Sequence, residues 1–93
     1  MLTHSPDVVP DLPSAFTVVL AGHTHCGQVN LPWWGPLLPR SPHEHWRRLF
    51  DSRYLCGVIR DAARLTVVTA GLGSGTIPLR LRAMPDWWLL TFD

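Results

Sequence analysis

Proline and glycine divide this chain into short pieces: nine prolines and seven glycines interrupt its 93 residues. Proline lacks a backbone donor and glycine weakens the interior of helices and strands, so long regular elements are excluded. One apolar, β-branched run, residues 16–21, is uninterrupted. Such a run is typical of a strand that is buried on both faces. The chain is therefore expected to fold around short strands joined by loops.

Other short elements are predicted on either side of that strand. Proline at the first helical position after an N-cap serine marks a helix start, and two apolar runs separated by three residues mark a hairpin. The predictions are a strand end at 1–3, a helix start at Ser5-Pro6-Asp7, a helix at 44–50, a hairpin of 54–60 with 64–70, and a strand at 87–92. The expected fold class is α/β, rich in strands.

The composition indicates a chain that packs against further protein. Hydrophobic residues make up 46% and charged residues 16%, which excludes a disordered tail and is low in charge for the surface of a free-standing small domain. The net charge is +1, so no nucleic-acid partner is expected. No apolar run approaches the roughly 20 residues of a membrane span, and the first residues lack a signal-peptide pattern.

The segment Gly22-His23-Thr24-His25-Cys26-Gly27-Gln28 follows the buried strand directly. Two histidines at the C-terminal end of a strand can direct both imidazoles into one cleft, and imidazole is a common ligand for Zn, Mn and Fe. His4 ends the other predicted strand, so a third imidazole is expected at the same place. The alternative is that these are ordinary surface histidines, since a His-x-His pair is common without a metal.

These residues resemble the calcineurin-like metallophosphoesterases. Gly22-His23-Thr24-His25, with Gly27-Gln28 and Leu31-Pro32, is similar to the last signature of that family, and Thr3-His4-Ser5-Pro6-Asp7 to its preceding single-histidine motif. Pro36-Leu37-Leu38, Gly71-Leu72-Gly73 and Ile77-Pro78-Leu79-Arg80 resemble the C-terminal part of a bacterial branch that is often membrane-associated.

The resemblance implies that residues 1–93 are the C-terminal segment of a two-sheet α/β sandwich that hydrolyses phosphomonoester, phosphodiester or pyrophosphate bonds. His4 and His23 would ligate one divalent ion (Mn, Fe or Zn) and His25 a second, with a bridging hydroxide attacking phosphorus. Gly22, Cys26, Gly27 and Gln28 would line the cleft. The substrate would be a small phosphate ester or a lipid-linked one, with membrane-surface association and a cytoplasmic or membrane-associated bacterial location.

The chain departs from the family pattern in two respects. The Asp-x-His, Gly-Asp and Gly-Asn-His motifs, which supply the carboxylates, would all precede His4, so the isolated chain is not expected to be a competent hydrolase. It would be a fragment, a truncated gene model or half of a split protein. In addition, Cys26 stands where relatives more often have glycine. A buried inert thiol is the expected role for Cys26, and a Cys26–Cys56 disulfide stays open.

A rival hypothesis from another class is a small β-rich module that binds a partner. In it, His4, His23, His25 and Cys26 hold one structural zinc ion. Trp33-Trp34 is expected to pack in a core or interface, with a substrate groove or a bilayer surface as alternatives. His43-Glu44-His45 and the arginines Arg40, Arg47, Arg48 and Arg53 are expected to be solvated rather than to bind metal or an anionic substrate.

Overall fold

A computed structural model describes residues 1–36, 51–75 and 78–93. The described residues contain short strands and 3-10 helices, as the spacing of proline and glycine requires. The strands are β1 (Val18–Ala21), β2 (Asn30–Leu31), β3 (Gly35–Pro36), β4 (Gly57–Arg60) and β5 (Leu65–Val68), and the 3-10 helices are Pro6–Asp11, His25–Gly27 and Ser52–Tyr54. The helix expected at 44–50 lies outside the described residues.

The main sheet has three strands in the order β1-β5-β4. Strand β1 runs parallel to β5, with Val18 opposite Leu65, and β4 runs antiparallel to β5, with Gly57 opposite Val68. The predicted hairpin is therefore confirmed. Strands β2 and β3 form a separate antiparallel pair.

Residues 1–3 continue the sheet on the free side of β1. Leu2 forms a parallel bridge with Leu20, and the Thr3 amide donates to the Leu20 carbonyl at 2.9 Å. The predicted strand end at 1–3 is thereby confirmed as an extended, paired segment. Because residues 1–3, β1 and β5 all run parallel, the residues that follow them meet at one edge of the sheet.

The core lies beneath the first 3-10 helix. Val9, Val19 and Tyr54 form a buried cluster, against which Leu12 and Ile59 pack. Arg64 holds this helix onto the sheet, since its guanidinium donates to the carbonyls of Val9 at 2.9 Å and Leu12 at 2.7 Å. The apolar run of β1 is thus buried by a helix on one side of the sheet.

Two predicted elements differ from the structure. The strand expected at 87–92 is wrong: these residues form no regular element, and Leu89 is 82% exposed. A strand needs a hydrogen-bonding neighbour, and in the part of the chain that the structure describes none pairs with this segment. The helix start at Ser5 is correct in place, but the helix is 3-10, contains Pro10, and receives no side-chain cap from Ser5.

The described residues form a sheet-rich structure with few and short helices, which confirms the expected β-rich α/β fragment. Within the described ranges, none of the helices has the length and apolar character needed to cross a lipid bilayer.

Candidate functional site

His4 and His23 lie side by side where residues 1–3 and β1 end. The Gly22 amide donates to the His4 carbonyl at 3.1 Å, which continues the parallel pairing up to the histidines. The two imidazole rings are 4.3 Å apart between centroids, with 42° between their planes. Both residues are exposed. The parallel strand ends thus bring together two nitrogen-donor side chains that are separated by 19 positions in the sequence.

The backbone after β1 is unusually left-handed. Positive φ angles occur at His23 (69°), His25 (50°), Cys26 (51°) and Gln28 (45°), and also at Gly27 (79°). For residues other than glycine this conformation costs roughly 1–2 kcal/mol each. Such costs persist only where the surrounding structure imposes them, and they concentrate at functional sites. No pattern in the sequence indicates this conformation, apart from Gly27.

Two cross-links hold this segment against residues 51–57. The hydroxyl of Thr24, which is buried, donates to the Leu55 carbonyl at 2.7 Å. Cys26 forms a disulfide with Cys56, with 4.8 Å between their Cα atoms. The expectation of an inert thiol at Cys26 is therefore wrong. The two cysteines are 30 residues apart but become neighbours because β4 starts beside the loop that follows β1.

Arg80 joins the histidine loop to the loop after β5. Its guanidinium donates to the carbonyls of Ala70 at 2.6 Å, Gly73 at 2.7 Å and Ala83 at 3.1 Å. It also lies 3.4 Å from both the carbonyl and Nδ1 of His25. Since guanidinium has donors only, Nδ1 of His25 is the acceptor in that contact. For His25 to bind a metal ion through either nitrogen, this contact must be given up.

Gln28 is buried and connects the same loops. Its side-chain carbonyl accepts from the Gly75 amide at 2.8 Å, and its amide nitrogen donates to the Leu79 carbonyl at 3.0 Å. Gly27 is also buried, whereas Gly22 is half-buried and a Cβ there would meet the Thr69 side chain at 3.5 Å, an ordinary contact. Gln28 therefore ties the loop after β1 to the backbone at Gly75 and Leu79.

The described residues bring one group of three metal-donor side chains together, and it is not the predicted one. The donor atoms of Cys26, Cys56 and Asp86 lie within 4.8 Å of one another. His4, His23 and His25 form no such group, although the rings of the first two are adjacent. Two neighbouring imidazoles suit a divalent transition metal as neutral nitrogen donors, but they supply no negative charge. A dinuclear site would need carboxylates from further polypeptide.

Asp86 is a residue beside the site that no sequence motif indicates. Its Oδ1 accepts from the Thr69 hydroxyl at 2.5 Å and from the Ala70 amide at 2.8 Å, and its Oδ2 accepts from the Trp88 indole at 3.2 Å. These contacts fix the carboxylate beside the end of β5. A single Asp after a proline in an apolar segment gives no signal of this role.

The remaining sequence candidates have varied surroundings. Trp33 is 99% exposed, so packing in a core of this chain is wrong for it. Arg53 is exposed as expected, and its contact with the Asp51 carboxylate raises the pKa of the guanidinium above its usual value. His43-Glu44-His45 and Arg40, Arg47 and Arg48 lie outside the described residues.

An apolar groove runs beside the candidate site. Its volume is about 360 Å³, and it lies between the edge of the sheet at Leu2 and Leu20 and the C-terminal segment at Trp87 and Leu90. Large apolar side chains around it are exposed, which is unusual for the surface of a monomeric soluble protein.

Curated proteins similar to this chain include metallophosphoesterases. The chain is 31% identical over 98% of its length to the uncharacterized metallophosphoesterase YkuE of Bacillus subtilis, and 36% identical over 97% to the phosphodiesterase YaeI of Escherichia coli. It is 28% identical over 98% to the uncharacterized protein YpbG of Bacillus subtilis.

The chain spans only 29–30% of the length of these relatives. No protein-family model and no solved structure matches it. The similarity confirms the resemblance to the C-terminal part of metallophosphoesterases that the histidine motifs indicated.

Proposed function

We propose, from this similarity to metallophosphoesterases, that the chain is the C-terminal segment of a divalent-metal-dependent phosphoesterase. The observation that carries the proposal is the adjacency of His4 and His23, with ring centroids 4.3 Å apart, at the edge where parallel segments of the sheet end. The relatives' names point to hydrolysis of phosphate esters, and a phosphate ester is the substrate class proposed here.

His4 and His23 would hold one ion, and His25 would contribute to a second after its ring leaves Arg80. Divalent ions such as Mn, Fe or Zn would supply charge neutralisation and polarisation of the phosphoryl oxygens. The positive φ angles of His23 and His25 would set the direction of these two imidazoles. Hydrogen bonds from Thr24 and Arg80 would anchor the same backbone. A dinuclear centre also needs carboxylates, which we propose come from further polypeptide of the same protein.

The apolar groove supports the same proposal. The chain covers less than a third of its relatives' length, and its groove exposes apolar side chains of the sheet edge and of the C-terminal segment. Further polypeptide packed into this groove would bury those side chains. Accordingly, the 93 residues alone are proposed to be inactive.

A lipid-linked substrate and membrane-surface association are also proposed, supported by the full exposure of Trp33 at the β2–β3 turn.

The test compares two proteins: the 93-residue chain and the product of the longest reading frame that contains it. Each is assayed with Mn²⁺ against an aryl phosphomonoester and an aryl phosphodiester. The longer protein should turn over at least one of them, and the 93-residue chain neither. The double substitution His23→Ala/His25→Ala in the longer protein should abolish turnover while its circular dichroism is retained. Undiminished turnover in that variant would remove both histidines from the proposal.

The second candidate function is the small zinc-binding interaction module. The structure changes its ligand set, because Cys26 is bonded to Cys56 rather than placed among the histidines. In this case the longer protein would bind one zinc ion and hydrolyse neither ester.

A further inference from the structure

We propose that Cys26, Cys56 and Asp86 form a zinc-binding site when the Cys26–Cys56 disulfide is reduced. The three residues come from three separate parts of the fold: the loop after β1, the start of β4 and the C-terminal segment. Their donor atoms are nevertheless within 4.8 Å of one another. Two thiolates and one carboxylate form a ligand set that zinc prefers over harder ions such as Mg²⁺ or Mn²⁺.

Tetrahedral coordination requires the three donor atoms to move only a short way from their present positions. With Zn–S near 2.3 Å and Zn–O near 2.0–2.2 Å, the donors of a tetrahedral site are separated by roughly 3.4–3.8 Å. In the reduced form the two sulfurs are no longer bonded and need only a modest opening to reach that separation. Cys26 is buried and Cys56 is exposed, so the site would lie at the surface with a fourth position open to water.

Asp86 is already oriented for this role. The Thr69 hydroxyl and the Ala70 amide both donate to Oδ1, and the Trp88 indole donates to Oδ2. Hydrogen bonds of this kind to a ligating carboxylate fix its direction and are common around metal ions in proteins. Oδ1 accepts two hydrogen bonds, whereas Oδ2 accepts one and keeps a second lone pair, so Oδ2 is the oxygen of Asp86 able to bind zinc.

Zinc binding and the disulfide exclude each other. A dithiol reductant breaks the S–S bond by thiol–disulfide exchange: the two cysteines gain two electrons and two protons, and the reductant becomes a disulfide. Zinc then replaces the two thiol protons and binds both sulfurs as thiolates. In the oxidised chain each sulfur is bonded to the other, so no thiolate remains for the metal.

This inference does not rest on the proposed phosphoesterase function, because it uses none of His4, His23 and His25. The two can therefore fail separately. A variant with all three of these histidines replaced by alanine should retain the cysteine site.

The test uses the 93-residue chain, reduced anaerobically with a dithiol, freed of reductant and metal, and titrated with Zn²⁺ against a chromophoric chelator. The reduced chain and the triple-histidine variant should each bind one equivalent through the cysteines, and the oxidised chain none at this site. Cys56→Ser should weaken binding at least 100-fold and Asp86→Asn roughly 10-fold or more. Titration with Co²⁺ should produce a thiolate-to-cobalt charge-transfer absorption in the near ultraviolet in the reduced chain.

The Co²⁺ spectrum needs no substitution and so decides the matter even where a variant fails to fold. If the reduced chain loses its tryptophan near-ultraviolet circular dichroism, recovery of that signal on adding zinc supports the site. A reduced chain without the charge-transfer absorption, or equal zinc affinity in the Cys56→Ser variant, would overturn the proposal. Unchanged affinity in Asp86→Asn would remove the carboxylate from the ligand set.

Discussion

The guanidinium of Arg80 lies 3.4 Å from Nδ1 of His25 and also contacts the His25 carbonyl. This single side chain satisfies carbonyl groups of three different loops, at His25, at Ala70 to Gly73 and at Ala83. It therefore links one of the proposed metal ligands to the loop after β5.

Replacing Arg80 should destabilise the loops around the candidate site. Arg80→Met leaves half-buried carbonyls without donors, and we expect a loss of about 2–4 kcal/mol in the free energy of unfolding, measured by denaturant titration. Arg80→Lys keeps the charge but not the planar fork, so it should lose less. Equal stability of wild type and Arg80→Met would contradict the central role of this guanidinium.

His23 is a position where glycine should be more stable than alanine. The φ angle of His23 is 69°, a conformation that costs a residue with a Cβ roughly 1–2 kcal/mol. Both His23→Gly and His23→Ala remove the exposed ring and its contact with His4. The stability difference between the two variants therefore measures the free-energy cost of the positive φ angle alone. We expect His23→Gly to unfold at a higher denaturant concentration, with a difference of about 1 kcal/mol. Identical midpoints would show that the loop relaxes around alanine.

The disulfide should contribute strongly to stability. Cys26 and Cys56 are 30 residues apart, and closing a loop of that length lowers the entropy of the unfolded chain by an amount worth about 3–4 kcal/mol. The double variant Cys26→Ser/Cys56→Ser should therefore melt at a lower temperature than the oxidised chain. Fully reduced wild type, measured without metal, is the matched control and should resemble the variant.

A charge at position 28 should make stability depend on pH. In Gln28→Glu, the donor to the Leu79 carbonyl becomes an acceptor, and burial raises the pKa of the new carboxyl group above its unfolded value. Because the folded-state pKa is raised, the folded protein loses stability as pH rises above the unfolded-state pKa. It regains that stability as pH falls back through the folded-state pKa. The stability difference from wild type should thus shrink on acidification. Gln28→Leu, which adds no charge, should show no such trend.

The sequence predicted the elements whose causes are local. The residue pattern of the apolar run that contains β1 predicts that strand, and the spacing of the two runs around a short turn predicts the β4–β5 hairpin. The meeting of His4 with His23 followed from two strand ends at one edge of a sheet. The strand at 87–92 failed because its apolar pattern does not show whether a backbone partner exists.

The rest of the candidate site depends on contacts between distant residues. Arg80 reaches His25 across 55 positions, and Asp86 reaches Ala70 across 16. No spacing rule connects such pairs. The left-handed backbone at His23, His25 and Cys26 runs against the intrinsic preference of these residues, so propensity predicts the opposite.

The parallel pairing of β1 with β5 has a consequence for the order in which the chain folds. The β4–β5 hairpin closes a short loop and can form early. Strand β1 pairs with β5 over a much longer separation in sequence, as the pair Val18 and Leu65 shows. Docking of β1 is thus expected to be the slow step. A covalent bond between Cys26 and Cys56, made before that step, would keep the two parts near each other and shorten the search.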